Sequence, residues 1–150
     1  MVQSCCTSTN NCINIRVACD GDPILGLMID KCYTVTNTGN SDLFVVLYRS
    51  NFSFYILISA GSTSGVIRGI DSLVPTPCDF TYTCKLITEA LCGSSGLADE
   101  CIKNSESNKT ISLTVSGDPN NNPGEILVQL SPGSLVYGIP VGSTYSVAAC

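Results

Sequence analysis

Short apolar runs recur along the chain and are separated by clusters of Gly, Pro, Asn and Ser. Many runs alternate apolar and polar residues, as Ile13–Val17 does, and this period of two is typical of a strand with one buried face. Residues 37–40 predict a hairpin-type turn. The pattern predicts an all-β fold: a jelly roll or another β-sandwich, with a barrel as the alternative. The predicted strands cover residues 13–17, 24–30, 32–36, 43–48, 52–58, 65–70, 80–87, 110–115, 125–130, 135–139 and 144–149.

Two of the runs, 43–48 and 52–58, are apolar with almost no interruption. Residues 43–48 place Leu, Val and Leu on one face and Phe, Val and Tyr on the other. A strand of an antiparallel sandwich normally has one solvated face, so we expect the second face to be covered. Two interpretations are equally open: another segment of the chain, such as 88–108, folds back over it, or a neighbouring subunit does.

The chain divides into an arm and one domain. Residues 1–12 are rich in Ser, Thr and Asn, which predicts a flexible N-terminal connector. Residues 13–150 have the length of a single domain with a substantial core. Within it, 88–108 lacks alternation and predicts an irregular excursion that carries cysteines. Its part 97–103 has two interpretations, a turn or two of helix or a loop pinned by disulfides.

Ten cysteines and no histidine define the candidate chemistry. Nucleophilic catalysis and metal binding commonly use histidine, and no Cys-x-x-Cys spacing supplies the close pair of ligands that zinc needs. We therefore expect no enzymatic activity, no metal site and no cofactor. Residues 118–125 have the alternate oxygen ligands of a calcium loop but lack the required glycine and final carboxylate. A polar hairpin connection is the favoured interpretation there.

The charge pattern and the length of the apolar runs each exclude one class of partner. The formal net charge is −5, and the seven Lys and Arg residues are scattered, so we expect no nucleic acid. The apolar runs are too short to cross a bilayer, so we expect no membrane. The sequence also shows no secretory signal, although a high cysteine content indicates an oxidising location. Three explanations are open: metal binding, a signal removed from the sequence, or synthesis in a cell that later lyses.

Cys5 and Cys6 are adjacent, and disulfide geometry makes a bond between neighbours strained. In a flexible segment, each of the two cysteines is therefore expected to form a disulfide with a different partner. We also expect Cys92 or Cys101 to pair within its own subunit, which restrains the excursion, and a bond at Cys150 to hold the last strand. The cysteines outside the adjacent pair are all disulfide candidates: Cys12, Cys19, Cys32, Cys78, Cys84, Cys92, Cys101 and Cys150.

The first half of the chain resembles the fibre subunits of bacterial endospore appendages (Ena). The likeness rests on a connector with Cys5-Cys6, and on Cys19 at the end of the first strand of a β-sandwich body. It also rests on the run Gly61-Ser-Thr-Ser-Gly-Val-Ile-Arg-Gly-Ile-Asp-Ser-Leu-Val74, in which a small-residue turn leads into an Arg-bearing strand. The likeness covers roughly residues 2–87, and residues 88–150 extend past the expected end of the body.

The resemblance implies a jelly-roll body whose copies add edge strand to edge strand in a pilus-like fibre. It implies that the arm docks into neighbouring subunits and forms intermolecular disulfides, from Cys6 to Cys19 and from Cys5 to Cys78 or Cys84. The partners are then copies of the chain, with related appendage subunits or spore-coat proteins as further partners. The implied location is the spore surface, reached by synthesis without a signal peptide in the mother cell and release on lysis.

Two other functions stay open. The run Cys32-Tyr-Thr-Val-Thr-Asn-Thr-Gly-Asn40, followed by an apolar strand, is similar to the immunoglobulin-like repeats of bacterial surface proteins. That similarity implies a monomeric spacer or adhesin. A cysteine-rich spore-coat protein without regular fibres shares the implied location and differs in its assembly.

Overall fold

The computed structural model describes residues 12–77, 95–97, 101–121 and 123–147. Within these ranges the chain forms strands and connections, without a helix. The strands are β1 (Ile13–Val17), β2 (Ile24–Leu25), β3 (Cys32–Asn37), β4 (Leu43–Arg49), β5 (Phe52–Ile58), β6 (Ile67–Arg68), β7 (Ser72–Pro75), β8 (Ser95–Leu97), β9 (Cys101–Lys103), β10 (Ile111–Ser116), β11 (Glu125–Leu130), β12 (Leu135–Tyr137) and β13 (Thr144–Val147).

The described strands form two sheets. One sheet has seven strands in the order β1-β3-β6-β11-β10-β13-β8, and the other has six in the order β2-β7-β4-β5-β12-β9. β1 and β3 run parallel, whereas the other pairings of described strands are antiparallel. The predicted all-β sandwich is therefore confirmed. The jelly-roll topology stays a prediction, and the predicted flexible arm lies almost wholly in residues 1–11, outside the described ranges.

The core lies between the facing sides of the two sheets. β5 alternates strictly between buried and half-buried residues, with Phe52, Phe54, Ile56 and Ile58 inside. Burying an aliphatic or aromatic side chain of this size stabilises the fold by about 1.5–3 kcal/mol. The alternation read from the sequence therefore corresponds to the main source of stability.

The outer face of the six-stranded sheet is also apolar. Phe44 of β4 is only 4% exposed, although it points away from the core that its neighbours Leu43 and Val45 enter. Its ring lies 6.1 Å from that of Tyr55 and 6.3 Å from that of Tyr137, measured between centroids. Because this burial occurs within one chain, the chain itself covers this part of the second face.

Two predicted strands are shorter than expected because a glycine ends each of them. The prediction for 24–30 reduces to β2, since Gly26 adopts a φ of 74°. The prediction for 65–70 reduces to β6, since Gly69 adopts a φ of 95°. Positive φ is accessible to glycine without a steric penalty but does not continue a strand.

The structure also contains strands that the sequence pattern did not predict. β7 is one, and it ends at Pro75 beside Val45 of β4. Within 88–108, the segment predicted to be irregular, β8 and β9 are extended. The helical interpretation of 97–103 is therefore wrong for Cys101–Lys103. The predicted strand 80–87 lies outside the described residues.

Candidate assembly surface

β1 forms an edge of the seven-stranded sheet. It pairs with β3 in parallel, with Ile13 beside Tyr33 and Val17 beside Asn37. No described strand pairs with its other side, so β1 presents one open strand edge within the described part of the chain. Such an edge is a common point at which a strand of another chain adds to a sheet.

A disulfide fixes the start of β1. Cys12 lies immediately before β1 and Cys32 is the first residue of β3; their Cα atoms are 4.8 Å apart, and their sulfurs are bonded. The bond spans a sequence separation of 20 residues, and a cross-link over a loop of this length stabilises a fold by about 3 kcal/mol. The segment that carries Cys5 and Cys6 therefore joins the body at a covalently fixed point.

Cys19 follows the other end of β1. It packs half-buried against the core and is disulfide-bonded, so a disulfide-bonded cysteine lies near each end of β1. Cys101, at the start of β9, is fully buried and disulfide-bonded as well. The intermolecular role predicted for Cys19 stays a prediction. The other predicted disulfide residues lie outside the described ranges: Cys5, Cys6, Cys78, Cys84, Cys92 and Cys150.

The two ends of the sandwich differ, and we name them the Cys12 end and the pocket end. The Cys12 end holds the Cys12–Cys32 disulfide and the connections β4–β5 and β10–β11. Arg49 joins these two connections by donating from Nη1 to the carbonyl oxygen of Glu125 at 2.9 Å. The pocket end holds the last residues of β1, β3, β5 and β11, together with a cavity.

Exposed apolar side chains collect at the Cys12 end. Leu25 is 74% exposed and Met28 is 51% exposed, and the Met28 N–H donates to the Tyr33 hydroxyl at 2.8 Å. Exposed apolar groups that lie together are typical of interaction surfaces. The five exposed large hydrophobic side chains of the described residues all lie at this end: Ile13, Leu25, Met28, Ile29 and Val141.

Buried Asn37 joins the two sheets at the pocket end. Its Nδ2 donates to the carbonyl oxygens of Ser41 and Ile58 at 2.8 and 3.1 Å. Its Oδ1 accepts from the N–H of Gly39 at 3.0 Å. Residues 37–40 are therefore not the predicted hairpin turn, because β3 and β4 belong to different sheets and Asn37 closes the crossing between them.

Asn104 makes equivalent hydrogen bonds in the opposite sense: it follows β9 of the six-stranded sheet and reaches β11 of the seven-stranded sheet. Its Nδ2 donates to the carbonyl oxygens of Lys109 and Leu130, both at 2.8 Å. Its Oδ1 accepts from the N–H of Glu106 at 2.9 Å. The sequence pattern does not single out either asparagine. Their shared signal is an Asn at a strand end followed by small polar residues, and a solvated turn has the same composition.

A cavity of about 360 Å³ lies beside the carbonyl groups that these asparagines bind. Ile58 lines it, and Leu130 lies between the lining residues Gln129 and Ser131. At Gly65 a Cβ would collide with the carbonyl oxygen of Gln129, so only glycine allows this approach of the β5–β6 connection to β11. The lining is rich in hydroxyl groups, contributed by Ser59, Ser62, Thr63, Ser64, Ser131 and Ser134.

Some of these hydroxyls are engaged in the fold and others are not. The Ser134 hydroxyl donates to the carbonyl oxygen of Leu57 at 2.9 Å. In contrast, the hydroxyls of Ser59, Ser62 and Ser131 have no hydrogen-bond partner in the described structure. None of the described lining residues carries a charge. The described lining of the cavity therefore offers neutral hydrogen-bonding groups.

A row of polar side chains connects this cavity to β1. Asn14 donates from Nδ2 to the hydroxyls of Thr34 and Thr36, both at 3.0 Å. The hydroxyls of Thr36 and Thr63 are 2.7 Å apart, and Thr63 lines the cavity. The open edge strand and the pocket therefore belong to one continuous polar surface.

The predicted polar hairpin connection at 118–125 is confirmed at its described residues, which join β10 to β11. Asp118 accepts from the Asn120 N–H and from Nδ2 of Asn121, each at 2.9 Å. In the described ranges no three side chains of a metal-binding type converge. The described residues also include no helix that is long and apolar enough to span a bilayer.

Comparison of the chain with protein-family models, with curated proteins and with solved structures finds no match.

Proposed function

We propose that the chain is a self-assembling structural subunit of a disulfide-cross-linked, pilus-like fibre on the endospore surface. The observation that carries the proposal is the edge strand β1, which the Cys12–Cys32 disulfide fixes immediately after the segment that bears Cys5-Cys6. A covalently fixed strand that is preceded in the chain by two adjacent cysteines suits a connector between subunits. The spore surface as location is supported by the resemblance to appendage subunits alone.

The positions of the edges support addition of copies side by side. Among the described strands, β1 and β2 end the two sheets on one side, and β8 and β9 end them on the other. A contact between unlike edges is heterologous, and such contacts propagate into rings or helical filaments rather than closing as dimers. Main-chain hydrogen bonds across the contact supply the affinity.

The length of the connector limits where its disulfides form. Cys6 precedes Cys12 by six residues, and an extended chain of that length spans about 20 Å. Within one copy, the connector starts at the Cys12 end, whereas Cys19 lies beyond the other end of β1. A second neighbour, stacked along the strand direction with its pocket end toward the Cys12 end, brings its Cys19 closer to the connector.

Cys19 is already oxidised in the single chain, so its use as acceptor requires disulfide exchange. The thiolate of Cys6 in one copy attacks the Cys19 sulfur of the next copy. The Cys6–Cys19 bond forms, the existing bond of Cys19 breaks, and its second sulfur leaves as a thiolate. The number of disulfides is unchanged, so no oxidant is consumed in this step.

The test is electrophoresis after boiling in detergent, with and without reductant, combined with negative-stain imaging. We expect the wild type to form fibres that resist detergent until reductant is added. The Cys5→Ser, Cys6→Ser double variant should keep a folded body and lose these fibres. Ser4→Ala with Ser8→Ala is the matched control, because it alters the same segment and keeps both thiols.

Two outcomes would contradict the proposal. A wild-type chain that stays monomeric at high concentration under oxidising conditions would favour the immunoglobulin-like spacer instead. Fibres of the double variant that are as resistant to detergent and heat as the wild type would show that the Cys5-Cys6 segment is not the linker.

A further inference from the structure

We propose that the hydroxyl-lined cavity at the pocket end binds a small neutral sugar, of the size of a monosaccharide. The cavity lies within one copy of the chain, so its ligand does not depend on the proposed assembly. A neighbour stacked on the pocket end would cover the cavity. We therefore expect the sugar to bind to single copies and at the uncovered end of a fibre.

Both sheets contribute to the cavity. Ile56, Leu57 and Ile58 come from β5 of the six-stranded sheet, and Gln129 comes from β11 of the seven-stranded sheet. The connections β5–β6 and β11–β12 supply the other lining residues. The volume of about 360 Å³ lies at the small end of the range for ligand pockets. This size favours a single sugar ring over an extended oligosaccharide.

Part of the lining is held in place by hydrogen bonds within the fold. The Ser64 hydroxyl donates to the carbonyl oxygen of Gly65 at 2.8 Å and accepts from the N–H of Val35 at 2.9 Å. The Ser134 hydroxyl donates to the carbonyl oxygen of Leu57 at 2.9 Å. A pocket whose wall is already ordered loses less conformational entropy when a ligand binds.

The rest of the hydroxyl lining is available to a ligand. The hydroxyls of Ser59, Ser62 and Ser131 have no partner within the described structure, and a serine hydroxyl both donates and accepts. Each hydroxyl of a sugar also donates and accepts, so both groups of a pair can be satisfied in either direction. This complementarity points to a ligand with several hydroxyls rather than to an acceptor-only or donor-only ion.

The charge and the apolar part of the lining narrow the ligand class further. None of the described lining residues carries a charge, and a charged ligand placed there would lose solvation without gaining a partner of opposite charge. Leu57 is half-buried and Pro132 is exposed, and both line the cavity. Their side chains provide apolar carbon for the C–H groups of a sugar ring. A neutral sugar fits both properties.

The first experiment measures the binding of glucose, galactose and mannose by saturation-transfer difference NMR. The sample is the full chain with Cys5→Ser and Cys6→Ser, isolated as single copies so that no neighbour covers the cavity. We expect at least one of the three sugars to bind with a Kd of about 1 mM, a value typical of so small a ligand. The uronic acid of that sugar should bind at least tenfold more weakly, because its carboxylate finds no cation in the lining.

The second experiment fills the cavity in the same single-copy chain. Ser62→Trp places a large side chain in the lining from an exposed position, and Ser146→Trp places it at an exposed position on β13. We expect Ser62→Trp to raise the Kd of the bound sugar at least tenfold, because the ring and the tryptophan compete for one space. Ser146→Trp should leave the Kd unchanged.

The third experiment removes hydroxyls without filling the cavity. Ser59→Ala with Ser131→Ala should raise the Kd roughly tenfold, because the sugar loses two hydrogen bonds. The matched control is Ser105→Ala with Ser146→Ala, which removes two exposed hydroxyls outside the lining and should bind as the parent chain does. Circular dichroism checks that all variants keep the β fold.

Three results would overturn the proposal. They are no binding of any of the three sugars to single copies, equal binding of the neutral sugar and its uronic acid, and a Kd that neither Ser62→Trp nor the Ser59→Ala, Ser131→Ala variant changes. The last result would place the sugar outside the cavity. Fibre formation is not a readout of these measurements, so the sugar site and the proposed fibre function succeed or fail separately.

Discussion

The two ends of the sandwich contrast in chemistry. The Cys12 end is fixed by a covalent bond between β1 and β3 and exposes apolar side chains such as Leu25 and Met28. The pocket end is held by the buried amides of Asn37 and Asn104 and opens into a hydroxyl-lined cavity. The Cys12 end therefore has a disulfide between two adjacent strands of one sheet, and the pocket end has buried amides that form hydrogen bonds across the two sheets.

Because its two ends differ, the sandwich is asymmetric along the direction of its strands. A body with two similar ends would meet a copy of itself equally well in either orientation. Here the ends present different groups, so contacts between unlike ends and contacts between like ends would bury different side chains. Heterologous contacts of that kind extend without closing unless the rotation between subunits completes a ring.

The largest loss of folding stability is expected from a change at the Cys12 end. Removing the disulfide with Cys12→Ser and Cys32→Ser should lower the free energy of unfolding by about 3 kcal/mol, because the unfolded chain regains the freedom of the closed loop. Urea unfolding measures this loss, and hydrogen exchange should show faster exchange in β1 than in β5. Cys5→Ser with Cys6→Ser removes the same number of thiols and should leave the stability of the body unchanged.

If the Cys12–Cys32 bond contributed nothing to the attachment of β1, the exchange of its amides would be the same in the Cys12→Ser, Cys32→Ser variant and in the wild type. That result would leave the Cys12 end without its defining constraint.

A smaller loss is expected at the pocket end. Asn37→Ala and Asn104→Ala should each lower the free energy of unfolding by about 1–3 kcal/mol, because buried backbone groups lose their partners. Asn40→Ala and Asn108→Ala alter exposed asparagines in the same two connections and should change it by less than about 0.5 kcal/mol. Thermal and urea unfolding of the four variants test the comparison. Equal effects within either pair would show that the amide does not join the sheets.

The sequence predicted the strands best where packing repeats a simple period. β5 is an example, since Phe52, Phe54, Ile56 and Ile58 recur every second residue and all enter the core. The same logic separated Phe44 from Leu43 and Val45 on β4. The sequence did not reveal that Phe44 is covered by its own chain, because the alternation of one strand does not specify what packs on its outer side.

The arrangement at the pocket end is not predictable from the sequence, for a different reason. Asn37 and Ser62 are far apart in the chain, and a turn composition accounts for each of them alone. They come together only because β3 and β5 lie in opposite sheets, which brings Asn37 against Ile58 and Ser62. The cysteine pattern indicated disulfides, but it left the pairing of Cys12 with Cys32 undetermined, since many pairings of ten cysteines are possible.

The smallest effect on folding stability is expected at the exposed apolar residues of the Cys12 end. Their substitution also tests which side of that end contacts a neighbour. Leu25→Ser should change the free energy of unfolding by no more than about 0.5 kcal/mol, because the side chain is 74% exposed. Val141→Ser is the matched control: this residue is 97% exposed at the same end but lies on the β12–β13 connection, away from β1 and β2. If the β1 and β2 side meets a neighbour, sedimentation should show weaker self-association for Leu25→Ser than for Val141→Ser. Equal association of the two variants would place the contact elsewhere on the Cys12 end, and stronger association of Leu25→Ser would show that its exposure opposes assembly.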